Sequence, residues 1–186
     1  RCQKALDLAK EGVRAALISS GDSGIYGMAG LALELWLDEP VESRPSLQVH
    51  PGISSFQMAA AKLGAPFMHD FCAISLSDLL TPWEQIEKRI KSAAIGDFVL
   101  AIFNPQSIKR DWQLKKAVDL LLEFRKPSTP VAIARQLGRP QENIEIYTLE
   151  SLPFNKVDML TILVVGNSQS MVKNNKFITP RGYLQN

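Results

Sequence analysis

The sequence predicts an α/β protein, because short apolar runs of strand length alternate with segments of helical periodicity along most of its 186 residues. Within residues 13–63, a strand, a glycine-containing turn and a helix follow one another twice. This repeated order is typical of a parallel sheet in which the turns after the strands bind ligands. Apolar residues make up 46% of the chain and charged residues 22%, so a chain of this length can bury a core.

Three helices and two strands are predicted for the first part of the chain. A short amphipathic helix around Leu6 and Ala9 ends at Gly12, a residue type that is common just after helices. Val13 to Ser19 and Leu47 to His50 are apolar runs of strand length. A helix follows the turn after each run, with apolar residues at helical spacing: Ile25, Met28, Leu31, Ala32 and Leu35 in one, and Phe56, Ala59, Ala60 and Leu63 in the other.

The second part of the chain is predicted to begin after Gly64-Ala65-Pro66, which divides the chain into domains of residues 1–66 and 67–186. Thr81-Pro82-Trp83-Glu84 has the pattern of a capping box with Thr81 at the N-cap of a helix. A further long helix is predicted across Leu114 to Leu121. Strands are predicted at Phe71 to Leu76, Asp97 to Phe103, Val131 to Ala134, Ile144 to Thr148 and Leu160 to Val165.

Charge and cysteine content exclude several classes of protein. The net charge of +2 is too small to indicate nucleic-acid binding, which needs a clustered basic face. Cys2 and Cys72 lie far apart and predict neither a disulfide framework nor a zinc site, so no metal is expected and a cytoplasmic location is the default. No apolar run approaches the ~18 residues of a transmembrane helix, so no membrane partner is expected. No signal peptide is visible either.

The segment from Ser20 to Gly27 is the most informative stretch of the chain. A glycine-rich turn after a strand leaves backbone N–H groups available and lets a cofactor approach closely. Its glycines are spaced G-x-x-G-x-x-G, which fits neither the dinucleotide fingerprint nor a P-loop. Asp22 is a candidate to bind a ribose hydroxyl or a ligand ammonium group, and Pro51 to Ser55 repeats the layout one unit later. The alternative is a pair of tight turns without a ligand, with Ser54 only capping its helix.

Candidates for acid or base catalysis are few. His50, His69 and Asp70 invite such a role, although a lone histidine commonly serves structure alone. Asp78 and Ser77 precede a predicted helix in a loop, where an aspartate is usually a cap or solvated. No Ser-His-Asp, Cys-His or metal-ligand set is visible, so nothing in the sequence predicts hydrolysis or phosphoryl transfer. This pattern fits a reaction that needs mainly binding and alignment, such as methyl transfer.

Several segments together resemble the tetrapyrrole methylase family. Ser20 to Met28 resembles its second S-adenosylmethionine (SAM)-binding motif, with Ser23 in place of the proline often found there, and Pro51 to Ser55 resembles the next motif. The resemblance is most specific to the subgroup that methylates C17 of precorrin-3B. It extends through Leu63 to Pro66, His69 to Phe71, Ile74 to Trp83, Phe103 to Pro105, Arg110, Asp158-Met159, Gly166 to Ser168 and Thr179 to Tyr183.

This resemblance implies a two-domain fold, with a parallel α/β first domain and a mixed-sheet second domain, that binds SAM between the domains and forms a homodimer. The substrate would be precorrin-3B or its cobalt-bound counterpart, contacted by Ser77 and with its carboxylate arms bound by Arg110 and Arg181. The family begins with a strand and a Gly-Pro-Gly loop, so we expect the N-terminal part to be missing from this chain. The implied cofactor contacts are Ser20, Gly21, Asp22, Ile25, Tyr26, Ser54, Ser55, Asn104, Arg135, Gln136, Gly138 and Thr161.

The subgroup methylates C17 and promotes contraction of the ring in cobalamin biosynthesis, and contraction moves protons. We therefore expect a general acid or base, for which Asp78 is favoured and His69 is the second candidate. The alternative is that Asp78 only fixes the loop ahead of Thr81. Three other functions remain open: a sister methylase acting at another ring carbon, a SAM-binding module without catalysis, and an ordinary nucleotide-binding α/β domain.

Overall fold

The computed structural model describes residues 1–183. By internal contacts the chain divides into two units, Arg1–Ser55 and Phe56–Asn186. The first unit holds helices α1 (Cys2–Lys10) and α2 (Ala29–Leu37) and a 3-10 turn at Val41–Ser43. Helix α3 (Ser55–Leu63) begins at the division. The domain boundary predicted at residue 66 stays a prediction, and the short strand β1 (Gly64–Ala65) falls within the second unit.

The second unit contains the regular sheet structure of the described chain. Its remaining elements are β2 (Phe71–Ser75), α4 (Trp83–Ile95), β3 (Val99–Phe103), α5 (Gln113–Leu122), β4 (Pro130–Arg135), β5 (Asn143–Thr148), a 3-10 turn at Phe154–Lys156, β6 (Thr161–Val165), β7 (Met171–Lys173) and β8 (Lys176–Ile178). The order of strands and helices confirms the predicted α/β class, and the strands predicted between residues 71 and 165 all form.

Two predicted strands of the first unit are wrong. Residues 13–19 and 47–50 form no β-ladder in the described part of the chain. Their apolar side chains are largely exposed, as at Ile18 with 85% and Val49 with 46% of the side chain accessible. A strand needs a neighbour that pairs with its backbone N–H and C=O groups, and no described strand lies beside these two runs. Together with α1 and α2 they line an open, mainly apolar groove of about 950 Å³.

The five-stranded sheet of the second unit has the order β2-β3-β6-β4-β5. Strands β2 and β3 are parallel, whereas β6 is antiparallel to both β3 and β4. Alternate residues of a strand point to opposite sides of the sheet, and both faces of the central strands are buried. Leu100 and Ile102 pack with α4 and α5 in one hydrophobic cluster, and Val99 and Ala101 pack with α3 in the other.

A hairpin near the end of the chain was not predicted from the sequence. Strands β7 and β8 are antiparallel, and β8 also pairs in parallel with β1 to complete a three-stranded sheet. Asn174 and Asn175 connect the two strands with φ of 50° and 59°. Positive φ at both central residues is the geometry of a type I′ turn, which favours asparagine. Phe177 of β8 is fully buried, so the hairpin is part of the core of this unit.

The start of α4 differs from the predicted capping box. The helix begins at Trp83, and the N-cap position is occupied by Pro82, with no side-chain hydrogen bond at the cap. Pro82 has ψ of 141°, which is outside the helical region. The proline therefore stands one residue before the helix instead of at its first position, and Thr81 lies too far from the helix to be its N-cap.

Candidate functional site

The carboxylate of Asp22 is hydrogen-bonded to both glycine-containing turns of the first unit. Its Oδ1 accepts a hydrogen bond from the backbone N–H of Gly24 at 2.8 Å, and its Oδ2 accepts one from the backbone N–H of Gly52 at 2.9 Å. These bonds, from Gly52 first and then Gly24, hold the pKa of Asp22 below its ordinary value of 3.8. The carboxylate therefore stays ionised and joins the turn at residues 20–27 to the turn at residues 51–55. We call these two segments the paired turns.

Glycine is required where the paired turns approach each other. Gly21 has φ of +76°, a conformation that other residues rarely adopt. A Cβ on Gly52 would lie 2.2 Å from the carbonyl oxygen of Gly21, whereas one on Gly21 would make only ordinary contacts, the nearest 3.7 Å from the carbonyl oxygen of Ile53. Close approach of the backbones therefore requires glycine at position 52, and the positive φ favours it at position 21.

The structure brings together the cofactor residues that the sequence predicted in the first unit. Ser54 is buried directly before α3 and Ser55 is its first residue. On the other turn, Ile25 is half-buried, and Tyr26 is exposed with φ of 52°. Ser20, Gly21 and Tyr26 expose their surfaces beside the Asp22 bonds. The Asp22 carboxylate is bound by both turns in this structure, and the ligand contacts predicted for Asp22 and its neighbours stay predictions.

In the second unit, the predicted residues Asn104, Arg135 and Thr161 lie with Ser75, which was not predicted, at one edge of the five-stranded sheet. Because β2, β3 and β4 run in the same direction and β6 runs in the opposite one, the carboxyl ends of the first three and the start of β6 lie at the same edge. Register confirms the grouping, since Arg135 at the end of β4 is paired with Thr161 at the start of β6. We call the set Ser75, Asn104, Arg135 and Thr161 the polar edge.

Arg110 is a buried residue that fixes two strand ends at the polar edge. Its Nη1 donates to the carbonyl oxygen of Asn104 at 2.9 Å and to that of Leu76 at 3.3 Å, while its Nη2 lies 3.1 Å from the Sδ of Met159. Arg110 is 7% exposed. The sequence suggested that Arg110 binds substrate carboxylates. The structure assigns its guanidinium to main-chain carbonyls instead, and a direct substrate contact stays a prediction.

Asn104 belongs to the same network. It has φ of 49°, and its Nδ2 donates to the Oγ of Ser75 at 2.9 Å. The same Oγ accepts a hydrogen bond from the backbone N–H of Ser77 at 3.2 Å. The ends of β2 and β3 are thus tied by side chains, and the loop that carries Ser77 and Asp78 leaves the sheet from a fixed position.

Asp158 organises the other half of the polar edge and was not identified as a site residue from the sequence. Its Oδ2 accepts from Arg135 Nε at 2.7 Å, and its Oδ1 accepts from Thr161 Oγ1 and from the backbone N–H of Leu160, both at 2.9 Å. Partial burial acts to raise the pKa of Asp158, but the hydrogen bonds from Arg135, Thr161 and Leu160 outweigh it and leave the pKa lowered. An aspartate that bonds the N–H two residues on is a turn signal that the sequence offered.

The turn after β4 is held by a second carboxylate, Glu142. Gln136 and Gly138 have φ of 52° and 72°. The backbone N–H of Gly138 donates to Glu142 Oε2 at 2.7 Å, and Lys62 Nζ lies 2.6 Å from Glu142 Oε1. The bonds from Lys62 and then Gly138 lower the pKa of Glu142 from 4.5. A Cβ on Gly138 would lie 3.0 Å from the Cε of Met58, so α3 also packs closely on this turn.

Asp78, the favoured acid or base, is bound by one buried side chain. Gln113 Nε2 donates to Asp78 Oδ2 at 2.9 Å. Asp78 is half-buried, whereas Gln113 is 2% exposed. The other amide atom, Gln113 Oε1, is buried without a partner among the described residues. An unpaired buried acceptor costs about 1–3 kcal/mol. Gln113 was not identified from the sequence; it stands one residue before the helix predicted across Leu114 to Leu121.

His69 and Arg181 are the remaining residues predicted for the site. His69 precedes β2 and Asp78 follows it, so the two lie on either side of the strand Phe71–Ser75 along the chain. His69 Nδ1 accepts the backbone N–H of Asp70 at 3.0 Å. Arg181 is exposed beyond β8. The roles predicted for His69 and Arg181 stay predictions.

Two features of residues 1–183 bear on other classes of function. Across this described part of the chain, no group of three or more His, Cys, Asp or Glu side chains is placed to hold a metal ion. Over the same residues, no helix is both long and apolar enough to cross a membrane.

Comparison with known proteins gives one consistent similarity. Residues 2–153 match the family model described as Tetrapyrrole (Corrin/Porphyrin) Methylases. The chain is 48% identical over 183 residues to a probable cobalt-factor III C(17)-methyltransferase of Salmonella typhimurium, an alignment that covers 98% of this chain and 75% of the relative. It is 40% identical over 173 residues to a precorrin-3B C(17)-methyltransferase of Sinorhizobium sp, covering 92% and 68%. The crystal structure of the methyltransferase CobJ superposes with a TM-score of 0.91 at 37% identity, covering 96% of this chain and 75% of that one.

Proposed function

The chain belongs to the tetrapyrrole methylase family, and from this premise we propose that it transfers the methyl group of SAM to C17 of precorrin-3B or of its cobalt-bound counterpart, in cobalamin biosynthesis. The observation that carries the proposal is the high identity, over almost the whole chain, to relatives named for methylation at C17. Promotion of ring contraction by the same protein is part of the proposal.

The paired turns fit SAM as the methyl donor. Bound there, SAM would supply an electrophilic methyl group on a sulfonium whose departure leaves a neutral thioether. The chain's task is then to bind and align, which is where most of the rate enhancement of such a transfer lies. Gly21 and Gly52 let backbone atoms come close, and the hydroxyl of Ser20 and the start of α3 at Ser55 offer polar contacts. Asp22 holds both turns in place.

Arg135 at the polar edge, which the resemblance assigns to the cofactor, also fits a polar, acidic substrate. Corrin precursors carry acetate and propionate arms, for which arginine is the preferred partner. Arg135 is half-buried and oriented by Asp158 through its Nε, which leaves both terminal nitrogens of the guanidinium uninvolved in that bond. We propose that Asp78 moves the proton that contraction requires, because it is a carboxylate held in a defined position near this edge.

The test is a product analysis with labelled SAM. The purified protein is mixed with precorrin-3B and, separately, with its cobalt-bound counterpart, and the product is examined by mass spectrometry and by NMR of the transferred ¹³C-methyl group. The proposal requires one added methyl group at C17 and a contracted ring. A methyl group at another carbon would identify a sister methylase, and SAM binding without transfer would identify a binding module.

A homodimer in the cytoplasm is the state we propose for the protein, on the resemblance to the family alone. Light scattering coupled to size exclusion measures it directly. A mass twice the 20.6 kDa of the chain is expected, and a mass of one chain at micromolar concentration would contradict the dimer.

A further inference from the structure

Gln113 is an unusual residue for its place in the fold. It is the first residue of α5, and its neighbours along the helix, Leu114 and Ala117, are fully buried in the larger hydrophobic cluster. Gln113 itself is 2% exposed. A buried amide at such a position has to find hydrogen-bond partners, which an apolar residue of similar size would not need.

Among residues 1–183, one side-chain partner accounts for this amide. Its Nε2 donates to Asp78 Oδ2 at 2.9 Å, across 35 positions of sequence, and its Oε1 is left without a partner in the described part of the chain. The amide does not cap α5, because a cap needs an oxygen that accepts a helix N–H and Gln113 Oε1 accepts none from the described residues. The contact with Asp78 is therefore the interaction that explains an amide at position 113.

The loop that carries Asp78 needs such a contact. Residues 79 and 80 are leucines that are 80% and 98% exposed, so hydrophobic packing does not hold this part of the loop. The start of the loop is fixed by Arg110, which bonds the carbonyl oxygen of Leu76, and by Ser75, which accepts from the N–H of Ser77. Beyond that point, the bond from Gln113 anchors the carboxylate of Asp78 itself to a buried helix.

We propose that Gln113 is a positioning residue for Asp78: its buried Nε2 sets the direction of the Asp78 carboxylate for the proton transfer that accompanies ring contraction. The inference rests on the proposed function, since it assigns a role within that reaction. Gln113 does not contact the substrate in this scheme and acts only through Asp78.

The test uses Gln113→Met, which keeps the length of the side chain and removes the donor. If Gln113 orients the carboxylate, kcat for the contracted product falls about 10–100-fold, while KM for the tetrapyrrole and the affinity for S-adenosylhomocysteine stay within about twofold. Gln113→Asn, which retains the amide one methylene short, is expected to lose less. Gln85→Met, the same change at an exposed position of α4, is the matched control and should behave as wild type.

A double variant separates positioning from general stabilisation of the fold. In an Asp78→Asn background, Gln113→Met should cause no further loss of kcat, because the two residues act as one unit. A multiplied loss, or wild-type kcat in Gln113→Met, would overturn the inference, as would wild-type contraction by Asp78→Asn. The absence of any methyl transfer by the wild-type protein would instead overturn the proposed function. Measuring methyl transfer by the wild-type protein therefore distinguishes failure of the proposed function from failure of the role inferred for Gln113.

Discussion

Gly52→Ala is the substitution that tests most directly whether the paired turns bind the cofactor. The added Cβ would stand 2.2 Å from the carbonyl oxygen of Gly21, 3.0 Å from the carbonyl carbon of Gly21 and 3.2 Å from the Cα of Asp22. All three are backbone atoms, so no side chain can rotate away to make room. The clash can only be relieved if one turn moves away from the other.

The required movement can be read from the geometry. An ordinary contact begins at about 3.4 Å, so an approach of 2.2 Å demands a displacement of about 1.2 Å. That shift would stretch the 2.9 Å bond between Gly52 N and Asp22 Oδ2 beyond hydrogen-bond range. A misplacement of about 1 Å costs about 100-fold in rate, which corresponds to about 2.7 kcal/mol of transition-state stabilisation. The overpacking itself should lower the free energy of unfolding by about 1–3 kcal/mol.

The assay is calorimetric titration of S-adenosylhomocysteine, together with kcat/KM for methyl transfer. Gly52→Ala is expected to weaken the affinity at least about tenfold and to lower kcat/KM about 100-fold. Gly30→Ala is the matched control, because Gly30 lies in α2 with nothing within 4 Å of the added Cβ. That control should stabilise the helix by up to about 1 kcal/mol. Wild-type affinity in Gly52→Ala would show that the paired turns do not form the cofactor site.

Three further predictions follow from individual contacts. Asp22→Ala removes the carboxylate that joins the paired turns and should weaken the calorimetric affinity for S-adenosylhomocysteine, so unchanged affinity would contradict the placement. Glu142→Gln should speed hydrogen exchange of the Gly138 amide, which donates to this carboxylate. Because the folded pKa of Glu142 lies below 4.5, the protection from exchange is complete above pH 4.5 and is lost as the pH falls through the folded pKa. The variant should lack this pH dependence. Arg110→Ala should lower the free energy of unfolding, measured in urea, by about 1.5–3 kcal/mol, because a buried cation with main-chain partners is lost. Arg181→Ala, at an exposed position, should leave the free energy of unfolding unchanged and raise KM for the tetrapyrrole. An Arg110→Ala variant as stable as the wild type would contradict the anchoring role.

Most helices and the strands of the larger sheet could be predicted from the sequence, because their periodicity reflects burial on one or both faces. Ile86, Ile90 and Ala93, which were predicted from their spacing to form the buried face of a helix, are buried in α4. The runs at residues 13–19 and 47–50 had the same apolar signal but pair with no described strand, since ladder formation depends on a neighbour and not on the run itself. The hairpin around Asn174 and Asn175 was missed although the Asn-Asn pair is a turn signal.

By itself, the sequence determined the α/β class, the family and the identity of the turns that carry Asp22 and Gly52, because these depend on residue types at short spacing. Only the tertiary structure decided what those residues contact. Asp22 accepts from two backbone N–H groups, and Arg110 donates to main-chain carbonyls. Gln113 donates to the carboxylate of Asp78, and Asp158 accepts from the guanidinium of Arg135. Such partners lie up to 35 positions apart in the chain for Gln113 and Asp78, and a hydrogen bond between them exists only once sheet register and helix packing have brought them within 3 Å.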